Sequence, residues 1–286
     1  MRETVKYVVA LLIFGSNGVI ASYVPLPSEE IVLMRTLIGG SALILVLLLS
    51  RSKLDRGALR REAPKLLCAG VCLGANWALL FEAYKLMSVS LATLLYYTAP
   101  VMVLLLSPLL LRERQSPRAY LGMAAAVLGL VLTVGLGDSP VSARGLLVGL
   151  GSAVFYAGLI IFNKKISGVG GLGLTTVEMA IAAAVMLCYV LLSGGSVRFP
   201  DDARGTGALL FLCLVNTALA CWLYFSSMNR LSARTVALFG YVDPVSALIF
   251  AAVFLHESMT PLQLAGAALV LVGAAWGQSR PASARL

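Results

Sequence analysis

Residues 91–117 read LATLLYYTAPVMVLLLSPLLLRERQSP, and residues 235–261 read TVALFGYVDPVSALIFAAVFLHESMTP. At this shift of 144 positions Pro100 falls on Pro244, Tyr97 on Tyr241, Glu113 on Glu257 and Pro117 on Pro261. The same shift carries Phe81 to Phe225, Ser88 to Ser232, Gly122 to Gly266 and Gly129 to Gly273. Prolines, an acid and glycines that share one offset indicate an internal duplication. The chain therefore divides into two halves, 1–139 and 140–286.

The composition says where those halves reside. Of 286 residues, 59% are hydrophobic and only 12% are charged, against about 25% charged in ordinary soluble domains. Mean hydropathy is +0.92. The net charge of +9 does not imply nucleic acid, because the basic residues fall in short gaps between apolar runs, as in the cytoplasmic loops of membrane proteins. The five cysteines, Cys68, Cys72, Cys188, Cys213 and Cys221, all lie inside apolar runs, and the one histidine, His256, joins no ligand cluster. They read as buried free thiols rather than metal ligands or disulfides.

A helix needs about 20 largely apolar residues to span a bilayer. Ten such runs are predicted, near 4–23, 29–50, 64–87, 88–111, 117–136, 143–163, 172–193, 206–229, 232–255 and 260–278. The first, after a short basic start and with no small-x-small cleavage site behind it, reads as a retained helix. Ser116-Pro117 and Thr260-Pro261 look like N-cap and N1 positions. Tight turns at Met87-Ser88 and Leu231-Ser232 make the third and fourth runs, and the eighth and ninth, antiparallel hairpins.

Lys and Arg set the orientation. With the N-terminus inside, 17 of the 22 fall on the inner side, and the outer side keeps Lys85, Arg144, Arg198 and Arg204, with Arg35 near the outer end of the second helix. The bias predicts both termini inside. Five helices per half is an odd number, so the halves enter the membrane from opposite faces. The expected fold is an all-α membrane protein of ten transmembrane helices with an inverted 5+5 repeat, the arrangement that underlies alternating access.

Several local features sharpen this. SLATLLYYTAP (90–100) runs on to LLRE (110–113) in the first half, and DP (243–244) runs on to HE (256–257) in the second. With the helix count and the paired proline and glutamate positions, they resemble the EamA family of the drug/metabolite transporter superfamily, over essentially the whole chain. The resemblance implies a secondary transporter of the bacterial cytoplasmic membrane, usually an exporter of amino acids or other small metabolites. It implies a central cavity lined mainly by helices one, three, four, six, eight and nine, with five and ten peripheral. LLFEAY (79–84) resembles one branch of the family without assigning a substrate. Small multidrug resistance relatives carry an essential Glu in helix one; this chain has Asn17 there and no acid, so their cation mechanism does not carry over.

Pro100 and Pro244 lie near the middle of helices four and nine, where each removes a backbone donor and loosens the carbonyl one turn earlier. They read either as plain bends or as hinges that shape a cavity. Three acids lie inside predicted helices. Asp243, beside the second kink, is either a packing element or a proton or substrate site. Glu82 is either the ion-pair mate of Lys85 three residues on or a site for a substrate amine or coupling proton. Glu178 is, with a one-residue shift, the pseudo-symmetric counterpart of Arg35, and the two read as gate charges or, for Arg35, as an interfacial snorkel. Trp77, Phe81 and Tyr84 form one helical stripe, and Trp222, Phe225 and Asn229 another, suited to cavity walls or to packing. Asn17, Asn76, Asn163, Asn216, Tyr97, Tyr156 and Tyr241 are candidates for polar cavity contacts or for interhelical hydrogen bonds. Glu113 and Glu257 read as turn or capping residues. The glycine pairs Gly70/Gly74, Gly145/Gly149 and Gly273/Gly277 fit internal packing or a dimer face.

No phosphate-binding loop, nucleophile elbow or metal cluster is present in the sequence, so no cofactor is expected and nothing points to ATP-driven transport. The expected partners are a small-molecule solute and the lipid bilayer, with no nucleic acid, in a monomer or homodimer. Proton coupling through Asp243 or Glu82 is one reading. An importer or facilitator, an exporter of organic cations or drugs, and a membrane-embedded enzyme or assembly factor are the alternatives.

Overall fold

The computed structural model describes residues 2–49, 55–87, 89–134, 142–256 and 260–278. Every regular element among them is helical. Seven stretches are long and apolar enough to cross a membrane: Arg2–Ala21, Ser28–Leu49, Arg56–Ala83, Ala143–Lys165, Gly171–Leu192, Ala203–Met228 and Ala233–Phe254. Three shorter apolar helices, Ala99–Leu110, Pro117–Leu132 and Pro261–Gly277, accompany them. The outer surface is greasy, with Leu48, Leu49, Leu109, Leu147 and Leu192 all at least 70% exposed. Such a continuous apolar exterior belongs in lipid.

Four of the predicted runs are more articulated than their hydropathy suggests. The first is split at Ser16 into α1 (Arg2–Gly15) and α2 (Asn17–Ala21). After α3 (Ser28–Leu49), the third run becomes α4 (Arg56–Leu86), starting well before the apolar stretch. It does so because the Asp55 carboxylate caps the Gly57 and Ala58 amides, satisfying donors that a helix start leaves free. The fourth run breaks ahead of Pro100 into α5 (Val89–Tyr96) and α6 (Ala99–Leu110). Then come α7 (Pro117–Val134), α8 (Ala143–Lys165), α9 (Gly171–Leu192) and α10 (Ala203–Phe211). A π-helical stretch, Leu212–Leu219, joins α10 to α11 (Ala220–Met228). The ninth run breaks ahead of Pro244 into α12 (Ala233–Phe239) and α13 (Val242–Phe254), and α14 (Pro261–Gln278) ends the described chain.

Both proline-bearing runs end alike. Arg112 and His256, 144 positions apart, each have φ of 57°, and they are the only non-glycine residues with positive φ among those described. A left-handed residue just past a helix end satisfies its last carbonyls. Glu113, one residue on, accepts the Ala233 amide at 2.7 Å and pairs with Lys164 at 3.6 Å. It thereby ties α6 to the start of α12. Glu257 lies outside the described residues.

Lipid is as apolar as leucine, so close approach of backbones matters more here than burial alone. α7 packs on α14 through a crossed set of glycines. A Cβ on Gly122 would lie 2.5 Å from the Gly273 carbonyl, and one on Gly129 would lie 2.6 Å from the Gly266 carbonyl. The other two glycine pairs are also used internally: Gly70 and Gly74 receive Ile181 and Val185 of α9, while Gly145 and Gly149 receive Met87 and Leu95. All five cysteines are free, but Cys68 and Cys188 are exposed on the surface, correcting the expectation that all are buried. Helical phase, which hydropathy alone does not give, decides which side of an apolar helix a thiol occupies.

A candidate solute cavity with one cation and one acid

The breaks surround a cavity of about 510 Å³. Its walls come from α1 and α2, α3, α4, the α5–α6 junction, α8, α11 and α13. α7 and α14 contribute nothing, as expected for helices five and ten, whereas helix two adds Ser28, Ile31, Val32 and Arg35. The cavity reaches exposed Ser28 at one end. Towards the other, a chain of tyrosines, buried at Tyr7 and Tyr224 and half-buried at Tyr156, forms a floor. The Tyr156 hydroxyl meets that of Tyr224 at 3.1 Å, Tyr224 lies 3.5 Å from the Tyr7 hydroxyl, and Tyr7 donates to the Val236 carbonyl at 3.1 Å.

The local chemistry of the breaks brings this about. A Cβ on Gly15 would run into Ser246, so glycine is what lets α13 close against α1. The break at Ser16 is tied by Asn216, whose amide donates to the Ile13 carbonyl and to Ser16 Oγ, both at 2.8 Å. At the paired kinks, the Tyr241 hydroxyl donates to the Tyr97 carbonyl at 2.9 Å, so one kink satisfies the other where water is scarce. The Tyr97 ring and the Asp243 carboxyl line the same stretch of wall.

Of the sequence candidates, Asn17, Arg35, Asn76, Trp77, Phe81, Tyr97, Tyr156, Phe225 and Asp243 line the cavity. Among the described residues, Arg35 is the only cationic lining residue and Asp243 the only acidic one. Asn216, Tyr241, Pro100 and Pro244 stand behind the wall and hold its geometry. Trp222 is turned away, 40% exposed on the outer surface. The side chain of Tyr84 lies outside the described residues. Glu82 sits in a network at the Ser28 end, with Arg144 at 3.2 Å, Tyr189 at 3.2 Å and Lys85 at 3.9 Å; Lys85 also pairs with Glu29 at 3.0 Å. Arg144 and Tyr189, from α8 and α9, are closer mates than the Lys85 expected from spacing.

Glu178 and Arg35 form no ion pair. Glu178 is 0% exposed, and among the described residues neither its carboxylate oxygens nor the amide atoms of its polar neighbour Asn163 find a hydrogen-bond partner. Tyr96 and Tyr224 were not among the sequence candidates. Tyr96 stacks on Tyr156 with centroids 4.8 Å apart and rings 8° from parallel. Its signal is present in the sequence, since it lies four residues before Pro100, which cannot donate to its carbonyl as a helical residue would.

The model of the EamA-like transporter family matches residues 5–135 and again residues 143–276. The chain belongs to the EamA-like transporter family. It is 25% identical over 95% of its length to the uncharacterized transporter YxxF of Bacillus subtilis, covering 88% of that protein. It is 26% identical over 72% of its length to the threonine/homoserine exporter RhtA of Escherichia coli K12, covering 68% of it. A solved crystal structure shares the fold, with a TM-score of 0.85, 22% identity and coverage of 97% of this chain and 98% of that one. As an EamA-like transporter built of apolar helices, the chain is a multi-pass membrane protein.

Proposed function

We propose that this EamA-like chain is a secondary active transporter of the bacterial cytoplasmic membrane, which exports amino acids or similar small metabolites by alternating access. The observation that carries the reading is the cavity: an aromatic chamber walled by seven of the helical runs, holding one cation and one acid, reaching one surface and floored towards the other. In this reading ten helices cross the membrane, both termini are inside, and residues 1–139 and 140–286 are inverted repeats. Its support is the crossed Gly122–Gly273 and Gly129–Gly266 contacts, which a two-fold relation between equivalent helices produces. The matched backbone of Arg112 and His256 supports it too.

The conformation described is then open to the outside. Rocking of α5–α6 and α12–α13 about Pro100 and Pro244 opens the tyrosine floor and closes the Ser28 end. Asp243 is the switching carboxylate, faced by Tyr97, Tyr7 and Tyr156 from the helices packed around it. Flux of a mixed panel of amino acids and organic cations into proteoliposomes, with and without a pH gradient, tests this. Gradient-driven movement of amino acids is expected in the parent chain, and Asp243→Asn is expected to lose the gradient dependence while keeping downhill exchange. No flux of any solute by folded, inserted protein would sink the transporter reading, and an undiminished response to the gradient in Asp243→Asn would remove the coupling role.

A further inference from the structure

We propose that Arg35 is the anion subsite of the cavity and takes the carboxylate of a carboxylate-bearing solute, so that this chain selects organic acids or amino acids over organic cations. The inference rests on the cavity being a solute path and adds a substrate class to it.

An arginine inside a membrane is costly and is ordinarily neutralised by an acid. Among the described residues Arg35 belongs to no ion pair. Among the described residues, the one hydrogen bond of the Arg35 guanidinium runs from Nε to Thr217 Oγ1 at 2.8 Å. Thr217 is itself fixed: its hydroxyl donates to the Leu212 carbonyl, five residues back, also at 2.8 Å. The π-helical stretch from Leu212 to Leu219 makes that span possible, and such local widenings of a helix occur frequently at functional sites. Gly39, one turn after Arg35, brings α3 close to Cys213 and Thr217, where a Cβ would lie 2.8 Å from the Cys213 carbonyl.

Guanidinium carries five N–H donors, and the contact with Thr217 uses one. A planar fork held by its Nε and facing a cavity matches a carboxylate in two-pronged geometry. The rest of the chamber fits the remainder of such a solute. Trp77, Phe81 and the Tyr96–Tyr156 stack offer apolar faces, and Asp243 offers a seat for an amine where the solute has one. A purely cationic solute would instead bring a second positive charge into a chamber that already holds Arg35.

The test uses the full chain in lipid nanodiscs and reads the unfolding temperature with three probes. These are a mixture of the proteinogenic L-amino acids, the matching mixture of their carboxamides, and a mixture of aliphatic and aromatic monocarboxylates. A ligand that binds only the folded state raises the midpoint. The free acids are expected to stabilise the parent chain, and the carboxamides to bind about tenfold to a hundredfold more weakly, the range for loss of a charge-assisted hydrogen bond. Comparing amino acids with monocarboxylates tells whether the amine contributes. Arg35→Gln is expected to erase the preference for acids and Arg35→Lys to retain part of it. Thr217→Val, which frees Nε without removing the charge, is expected to weaken acid binding by less than Arg35→Gln.

Equal stabilisation by acids and carboxamides, acid binding unaffected in Arg35→Gln, or no stabilisation by any acid would each overturn the subsite. The acid and carboxamide arms need no variant, so a poorly folding substitution leaves the test intact. Flux of the same mixtures into proteoliposomes separates the two readings. Acid-selective binding without flux keeps the subsite and removes the transporter; equal flux of acids and carboxamides keeps the transporter and removes the subsite.

Discussion

Glu178 poses the sharpest question at the scale of single residues. A carboxyl that is fully buried, with both oxygens and both atoms of the neighbouring Asn163 amide unpaired, is something folding normally avoids. Isolated buried charge costs many kcal/mol, and even a neutral unpaired polar group costs about 1–3 kcal/mol. Glutamine keeps the shape and removes the ionisable group. Glu178→Gln is therefore expected to match or exceed the parent chain in unfolding temperature at neutral pH, measured in detergent or nanodiscs. A fall comparable to that of a core truncation, about 2–5 kcal/mol, would mean the carboxylate has a partner in the folded protein. Glu178, Arg35 and Asp243 were legible in the sequence because a charge inside an apolar run stands out at once. Aromatic residues were less so. Trp77 and Trp222 look equivalent as members of helical stripes, yet one lines the cavity and the other faces outward, because spacing gives a periodicity without the phase that neighbours impose.

At the scale of elements, α7 and α14 are held by close backbone approach rather than by large side chains. Gly122 faces the carbonyl of Gly273 and the Cα of Gly277, both backbone atoms that cannot swing aside. Gly122→Val is expected to lower stability by about 1–3 kcal/mol or more, as overpacking does, read as a drop in unfolding temperature. Gly207, on α10, offers the contrast, because nothing lies within 4 Å of an added Cβ. There Gly→Ala is expected to be neutral or stabilising by up to about 1 kcal/mol from helix propensity. If both variants behaved alike, the crossing would not depend on glycine. The helical runs themselves could be read from hydropathy, and the two proline kinks from Pro100 and Pro244. The π stretch at Leu212–Leu219 and the break at Ser16 could not, since each is stabilised by a distant residue, Thr217 holding Arg35 and Asn216 holding Ile13 and Ser16. Likewise the early start of α4 depends on Asp55, a cap in a charged segment where hydropathy is silent.

At the scale of the whole molecule, the inverted relation proposed for the halves makes a prediction that needs no substrate. Tyr23 and Ser167 are 144 positions apart and both are exposed in the turn between the first two runs of their half. Parallel halves would leave them on one side of the membrane, whereas halves of five crossings each must place them on opposite sides. The distribution of Lys and Arg assigns Tyr23 to the outside and Ser167 to the inside. In a background with all five native cysteines replaced, necessary because Cys68 and Cys188 are exposed, Tyr23→Cys is expected to react with a membrane-impermeant maleimide in intact cells. Ser167→Cys is expected to react only after permeabilisation. The reverse pattern would keep the inversion and turn the protein over, placing the Ser28 mouth of the cavity inside and reversing the face that Arg35 and Asp243 serve in the conformation described. Labelling of both from one side would make the halves parallel, and with them the proposed rocking of α5–α6 against α12–α13 would lose its symmetry, since exchange of two equivalent conformations is what would let one cavity face each side in turn.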